Sequence, residues 1–256
     1  MTPKAKSARN KAAPVLYLYA VSQAYEAVAP VIASEGIDGV AGVEGLLTDK
    51  HLCWISRVPK PEFADQLTEH MQNLEWLATA GLRHQRVVAE ISGHLSALPA
   101  RFGTVFLSEE SLAEHVKARI KAFEQAFTRV ADADEWGVKI FAERKAVSTT
   151  VKAASGTDYL KKKSELLQPK RSGKLDDEVQ DFIAKLNNLA VAASPGGKAS
   201  AGQPGLVWHG SFLIRRKDRG KLEAALKKYA GQWANTRRID CSGPWPPYSF
   251  VGDYVD

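Results

Sequence analysis

Hydrophobic positions change their spacing repeatedly along the chain, and each change marks an element. Residues 15–21 (VLYLYAV) are apolar at consecutive positions, the pattern of an interior strand buried on both faces. Ser22 stands where it can cap a helix running to about Ser34. Glycines at Gly36, Gly39, Gly42 and Gly45 then mark a loop. The runs 44–48 and 52–58, joined at Asp49-Lys50, predict a hairpin. Pro59 and Pro61 open a helix with the stripe Phe63, Leu67, Met71, Leu74 and Leu77. The helical pattern resumes through Val88, Ile91 and Leu95, with a bend expected around Gly81. Pro99 stops it before 101–107 (RFGTVFL), which predicts another strand.

The second half alternates in the same way. Ser108 caps a helix whose stripe Leu112, Val116, Ile120, Phe123, Phe127 and Val130 is the clearest amphipathic signal in the chain. Residues 136–142 (WGVKIFA) predict a strand. A charged helical region follows, ending in the stripe Leu175, Val179, Phe182, Ile183 and Leu186. Residues 192–205 have no periodicity and are rich in Gly, Ser and Pro, which predicts a mobile loop. Residues 206–214 place Leu206, Trp208, Phe212 and Ile214 on one strand face. A helix carrying Leu222, Leu226, Tyr229 and Trp233 comes next, then a short strand near 237–241.

Taken in order, residues 15–107 read strand, helix, strand, strand, helix, strand, the split βαβ arrangement of ferredoxin-like folds. Residues 136–242 read the same way with one strand unplaced. The expected fold class is α+β with two domains, at least one of them ferredoxin-like. The expected division is a basic flexible tail over 1–14, an N-terminal domain over 15–108 and a C-terminal domain over 109–256. The last carries the mobile loop and an aromatic, proline-rich end.

Composition agrees with a globular chain: 256 residues, 45% hydrophobic and 25% charged. No run approaches the roughly 18 consecutive apolar residues of a membrane span. The N-terminus lacks the apolar core of a secretory signal, and two distant cysteines, Cys53 and Cys241, suit a reducing compartment. The reading is therefore cytoplasmic, with no membrane partner. A net charge of +6 conceals strong unevenness. Residues 1–14 hold four basic side chains and no acid; 161–174 hold six against Glu165; 215–238 hold nine against Asp218 and Glu223. The remainder is acidic, so the chain can meet an acidic partner on one region only. Tyr229 and Trp233 lie within the last basic segment and could stack on bases. They share a helical stripe with Leu222 and Leu226, however, and core packing is the better reading, which argues against nucleic acid.

No catalytic constellation emerges. None of the histidines His51, His70, His84, His94, His115 and His209 falls at the i, i+4 spacing of a helical metal site, and neither cysteine sits in a CxxC pair. Gly196-Gly197-Lys198 lacks the earlier glycine of a phosphate loop and has Ala199 where the metal-binding hydroxyl belongs. No GxSxG elbow is present. The acids Asp132, Asp134 and Glu135, and Asp176, Asp177 and Glu178, read as solvated loop or helix-start residues. No catalytic residue, cofactor site or metal site is assigned.

Two strings remain that periodicity does not explain: 98–106 (LPARFGTVF) and 243–250 (GPWPPYSF). With YLYAV at 17–21, EWL at 75–77 and EWGVK at 135–139, they resemble the gas vesicle protein family GvpF/GvpL over essentially 15–251. Ala100 departs from the pattern, which has a larger apolar residue there. The tail before Val15 also departs, and 143–205 matches loosely. The resemblance implies a non-enzymatic accessory or minor structural protein of gas vesicles, the hollow protein shells that give aquatic microbes buoyancy. It implies location at the vesicle within the cytoplasm. Its partners would be the major shell protein, bound during nucleation or growth, and other vesicle accessory proteins. A small-molecule or protein-modifying enzyme and a basic nucleic-acid-binding regulator are the alternatives.

In the second string, Pro244, Pro246 and Pro247 favour an extended stretch outside any central sheet, with Trp245, Tyr248 and Phe250 as large anchors. These either cement the chain's own two domains or contact a partner. In the first string, strand alternation would put Phe102, Thr104 and Phe106 on one face and Arg101, Gly103 and Val105 on the other. Arg101, Phe102, Thr104 and Phe106 join the C-terminal anchors as expected packing or partner residues.

Overall fold

The computed structural model describes residues 13–24, 31–143, 176–196 and 203–252. The basic tail, most of the helix expected after Ser22, the basic run at 161–174 and the centre of the 192–205 loop lie outside the described residues. The chain divides into two compact units, one of residues 1–131 with 246–256, the other of residues 132–245.

In the first unit, β1 (Val15–Gln23) is the central strand and is buried along nearly its whole length, as consecutive apolar residues require. The hairpin forms from β2 (Glu44–Thr48) and β3 (His51–Val58), with β3 antiparallel to β1. β4 (Ala97–Pro99) and β5 (Val105–Phe106) both pair with the other side of β1, giving the order β2-β3-β1-β4. That is the strand order of a split βαβ sheet. Gln23 is still part of β1, and residues 31–34 are not helical, so no helix starts at Ser22.

A β-bulge at Tyr19 shifts the register of β1 against β3, with Leu18 opposite Ile55 and Ala20 opposite Trp54. The Tyr19 hydroxyl accepts the Ile37 amide proton at 2.7 Å and donates to Ser56 Oγ at 2.9 Å. Ser56 Oγ in turn donates to the Gly42 carbonyl at 2.8 Å, so the glycine loop is fastened to the sheet by one buried tyrosine.

A helical turn at Pro61–Asp65 and α1 (Leu67–His70) lead to α2 (Leu74–His94). α2 runs unbroken through Gly81; the break falls instead at 71–73, where the Asn73 side chain accepts the Glu75 and Trp76 amides. This break rotates the helical phase. Met71 and Leu74, expected in the core, are 43% and 80% exposed, and Ala80, Val87, Val88 and Ile91 pack on β1 and β3 instead.

The amphipathic stripe at 109–130 is carried by two helices, α3 (Glu109–Ala118) and α4 (Ile120–Val130), broken at Arg119. Ser108 caps α3 as expected. Leu112, Val116, Phe123, Phe127 and Val130 are buried, and His51 of β3 lies between the Phe123 and Phe127 rings at 5.4 and 5.7 Å. Because α4 packs on β4, residues 109–131 belong with the first unit. The division expected at 108/109 therefore falls at 131/132, and the chain's end returns to the first unit at Pro246.

The second unit repeats the topology. β6 (Ala133–Ala142), β7 (Ala192–Pro195), β8 (Leu206–Arg215) and β9 (Arg237–Trp245) form an antiparallel sheet in the order β7-β8-β6-β9. β7 occupies residues expected in a mobile loop. Its side chains carry little strand signal, but its backbone pairs with β8 from Ala192 opposite Leu213 to Pro195 opposite Gly210. Two helices pack on the sheet: α5 (Asp177–Leu189), capped by Asp176, and α6 (Arg219–Gln232). Val179, Phe182 and Leu186 meet Leu222 and Trp233 over Val138, Ile140, Phe212 and Ile214. Phe182 lies 4.7 Å from the Tyr229 ring and 5.4 Å from that of Trp233, so both aromatics of the basic segment are core residues.

Candidate functional site

The two strings singled out in the sequence do not fold as regular strand and extended tail. Residues 101–104 form a tight turn between β4 and β5 rather than a strand. Gly103 has φ +88°, a conformation that glycine adopts without strain. The Thr104 amide and Oγ1 both donate to the Arg101 carbonyl, at 3.2 and 2.8 Å, while the Thr104 carbonyl accepts from Leu18 N–H at 2.9 Å. The expected alternation of Phe102, Thr104 and Phe106 on one face is therefore broken. Phe106 resumes pairing opposite Leu16 and sets its ring 5.0 Å from that of His115.

The C-terminal string divides between the units. Gly243, Pro244 and Trp245 extend the edge strand β9, with a cis Gly243-Pro244 bond and Trp245 opposite Glu135. A Cβ on Gly243 would come 2.9 Å from the Glu135 carbonyl and 3.0 Å from the Trp136 ring, so only glycine fits. Trp245 is 45% exposed and donates from Nε1 to Ser242 Oγ at 3.2 Å. Pro246 and Pro247 are buried in the first unit, followed by a single turn at Tyr248–Phe250. Phe250 is buried, and its carbonyl accepts from Arg129 at 3.2 Å.

Parts of both strings meet on α2. Arg101 and Phe102 from the turn and Tyr248 from the C-terminal segment wall an open cleft of about 730 Å³. α2 supplies Leu77, Ala78, Gly81, Leu82 and Gln85, which recur at helical spacing along one side, with His84 between them and the sheet. Leu82 is 58% exposed, and Leu74, one turn before Ala78, is 80% exposed. Most of the lining is apolar.

Beneath the cleft runs a buried chain of hydrogen bonds. Gly103 N–H donates to the Tyr17 hydroxyl at 3.1 Å; Tyr17 Oη lies 3.0 Å from His84 Nδ1; His84 Nε2 lies 3.1 Å from Tyr248 Oη. With Tyr17 accepting from Gly103, its own proton points to Nδ1, and Nε2–H then donates to Tyr248. Burial holds the His84 pKa down at about 4, against a small opposing pull from the Ala100 carbonyl. Burial likewise pushes both phenols well above the usual tyrosine range, only partly offset at Tyr17 by the Gly103 amide. The whole network is thus uncharged at neutral pH, joining strand, helix, turn and C-terminal segment without a displaced proton.

Of the residues expected at a site, Arg101, Phe102 and Tyr248 come together here. Thr104 staples the turn, Pro246, Pro247 and Phe250 anchor the C-terminal segment, and Phe106, Pro244 and Trp245 lie elsewhere. His84, Tyr17, Leu77 and Leu82 were not assigned to a site from sequence. The available signal was an excess of apolar residues on α2, too many for a single buried stripe. Among the described residues no three His, Cys, Asp or Glu side chains form a metal-holding group, and no helix is long and apolar enough to cross a membrane.

Residues 15–252 match the profile of the family described as gas vesicle synthesis protein GvpL/GvpF. The chain belongs to the GvpL/GvpF family. It is 29% identical over 255 residues to gas vesicle protein L of Streptomyces sp. (strain CB03234), covering 92% of each chain. It is 22% identical over 219 residues to gas vesicle protein F of Haloferax mediterranei, covering 86% of this chain and 87% of that one. Its fold matches the crystal structure of GvpF from Anabaena sp. PCC7120 with a TM-score of 0.67 at 18% identity, covering 93% of this chain and 96% of that one. GvpF from Microcystis aeruginosa matches with a TM-score of 0.65 at 17% identity, over 93% and 98%. Family membership places the chain in gas vesicle assembly.

Proposed function

We propose that this GvpL/GvpF chain is an accessory or minor structural protein that binds the major shell protein while the vesicle nucleates or grows, and that the α2 cleft is where it does so. The observation that carries this reading is the meeting of Phe102, Tyr248, Leu77 and Leu82 around an open, apolar cleft. Its supporting network is neutral, which suits holding an apolar surface and offers no poised acid or base. An aggregation-prone shell chain would gain a temporary apolar partner there until it joins the wall. The protein acts in the cytoplasm at the vesicle, without catalysis, and alongside other vesicle proteins.

The test is co-purification of the major shell protein with wild type and with Leu77→Asp and Leu82→Asp, together with rescue of a deletion strain. Covering a leucine is worth about 2 kcal/mol, so each substitution should weaken capture by roughly thirtyfold while the variant stays folded. Undiminished capture and normal vesicles from both folded variants would overturn the assignment.

A further inference from the structure

The second unit carries a groove of different character. It lies between α5 and α6 and has a volume of about 550 Å³. Lys185 borders it from α5, and Lys221 and Lys228 border it from α6; Leu189, Ala224 and Ala225 supply its apolar part, with Asn188 at one end. Lys221 is held by Asp218 at 2.7 Å. Lys185 and Lys228 have no ion-pair partner among the described residues, although Asp181 stands one turn before Lys185. No acid lines the groove itself, and Glu223, Asp134, Asp176 and Glu178 of the same unit pair with Arg219, Arg216 and Arg237, which leaves Asp181 as the acid one turn from Lys185. The groove therefore keeps an unbalanced positive rim over an apolar floor.

We infer that this groove docks an acidic amphipathic helix of a partner protein, lying between α5 and α6. Lys221 and Lys228 are seven residues apart, two turns or about 10 Å along one face. Carboxylates at i and i+7 of a docked helix match that spacing. Ala224 and Ala225 leave room for another backbone to approach, and the apolar face between the carboxylates covers them and Leu189. A nucleic acid fits the lining poorly, because it presents no aromatic ring to stack on bases and no guanidinium fork for phosphate. The inference rests on the second unit alone and stands or falls separately from the α2 cleft.

The probe is a fluorescein-labelled, alanine-based helical peptide with glutamates at i and i+7 flanking leucine, tested by anisotropy against the full chain. Its lysine-for-glutamate counterpart and a single-stranded oligothymidylate serve as rivals. The acidic peptide should bind at low salt and be released at about 1 M salt, where screening shortens to about 3 Å. Combining Lys221→Glu with Lys228→Glu, the two lysines matched to the peptide's glutamates, should weaken binding on the order of twenty-fivefold, at about fivefold for each exposed pair. Lys217→Glu with Lys227→Glu removes the same charge outside the groove and should have less than a tenth of that effect. Zero-length carbodiimide coupling should join peptide glutamates to Lys185, Lys221 and Lys228. Equal losses from the two double variants, tighter binding of the oligonucleotide, no measurable binding of the acidic peptide, or cross-links spread over other lysines would each overturn the inference.

Discussion

Acidification should destabilise the first unit through His84. The imidazole is 3% exposed, and burial holds its pKa at about 4, against about 6.5 for a free side chain. Between those values the unfolded chain binds a proton that the folded chain refuses. Stability therefore falls by about 1.4 kcal/mol for each pH unit of acidification. The contribution is complete above about pH 6.5, and about 3 kcal/mol is gone once the pH has fallen to about 4; below that both states are protonated and nothing more is lost. The structural cause is the network itself. A second ring proton would face the Tyr17 hydroxyl, which already accepts from Gly103 and directs its own proton at the ring. Urea unfolding followed by tryptophan fluorescence, on wild type and His84→Gln at several pH values between about 7 and 4, isolates this one group. Burial also lowers the His51 pKa, but that effect cancels in the difference between the two proteins. Wild type should be the more stable protein at neutral pH, and its advantage should shrink by about 3 kcal/mol on acidification. An advantage that stays constant across that range would refute the reasoning.

Gly103→Ala should cost about 1 kcal/mol in chemical denaturation, because φ is +88° while a Cβ there meets nothing nearer than Met71 Sδ at 3.8 Å. The penalty is conformational, so a larger loss would mean that the turn is crowded as well as strained. Ser22→Ala should cost about 1–3 kcal/mol by leaving the buried Trp54 indole N–H, now 3.0 Å from Ser22 Oγ, without an acceptor. Trp54→Phe should lower stability less in the Ser22→Ala background than in wild type, which a double-mutant cycle would read. Asn73→Ala should cost about 1 kcal/mol through loss of the α2 cap, seen as faster amide exchange at Glu75 and Trp76.

What the sequence revealed and what it concealed follow from where each pattern gets its cause. The strand β1, the hairpin and the stripes at 109–130 and 177–189 were legible because burial alone sets their spacing. The split βαβ reading of residues 15–107 agrees with the order of the first sheet, whereas the second sheet was read with one strand missing. β7 was hidden because Ala192, Ala193, Ser194 and Pro195 have weak strand preference, and the strand exists through backbone pairing with β8. The turn at 101–104 was hidden because alternation in RFGTVF is compatible with a strand; pairing along β1 and the positive φ of Gly103 decide otherwise. On α2, periodicity could not tell a core stripe from an exposed one. Leu74 and Leu77 read as core until the helix break at 71–73 reset the phase. His84 carried no motif at all, since its importance comes from Tyr17 and Tyr248, 67 and 164 residues away.

The division of the C-terminal string between two units makes its two largest polar aromatics separable by experiment. Tyr248 packs against the core of the first unit and closes the hydrogen-bonded chain at His84. Tyr248→Ala should therefore cost about 2–4 kcal/mol, combining lost packing with a broken hydrogen bond. Tyr248→Phe keeps the ring but leaves the buried His84 Nε2–H without that acceptor, and should cost about 1–3 kcal/mol. Trp245 belongs to the second unit, is nearly half exposed and makes one side-chain hydrogen bond on an edge strand. Its replacement by alanine should change stability by about 1 kcal/mol or less. Thermal unfolding and vesicle formation measured on the same three variants then give different answers for the two residues. If Trp245→Ala folds normally yet forms defective vesicles, that indole is a contact with another vesicle protein. If it unfolds as readily as Tyr248→Ala, Trp245 is cement after all, and the reading of an exposed anchor fails.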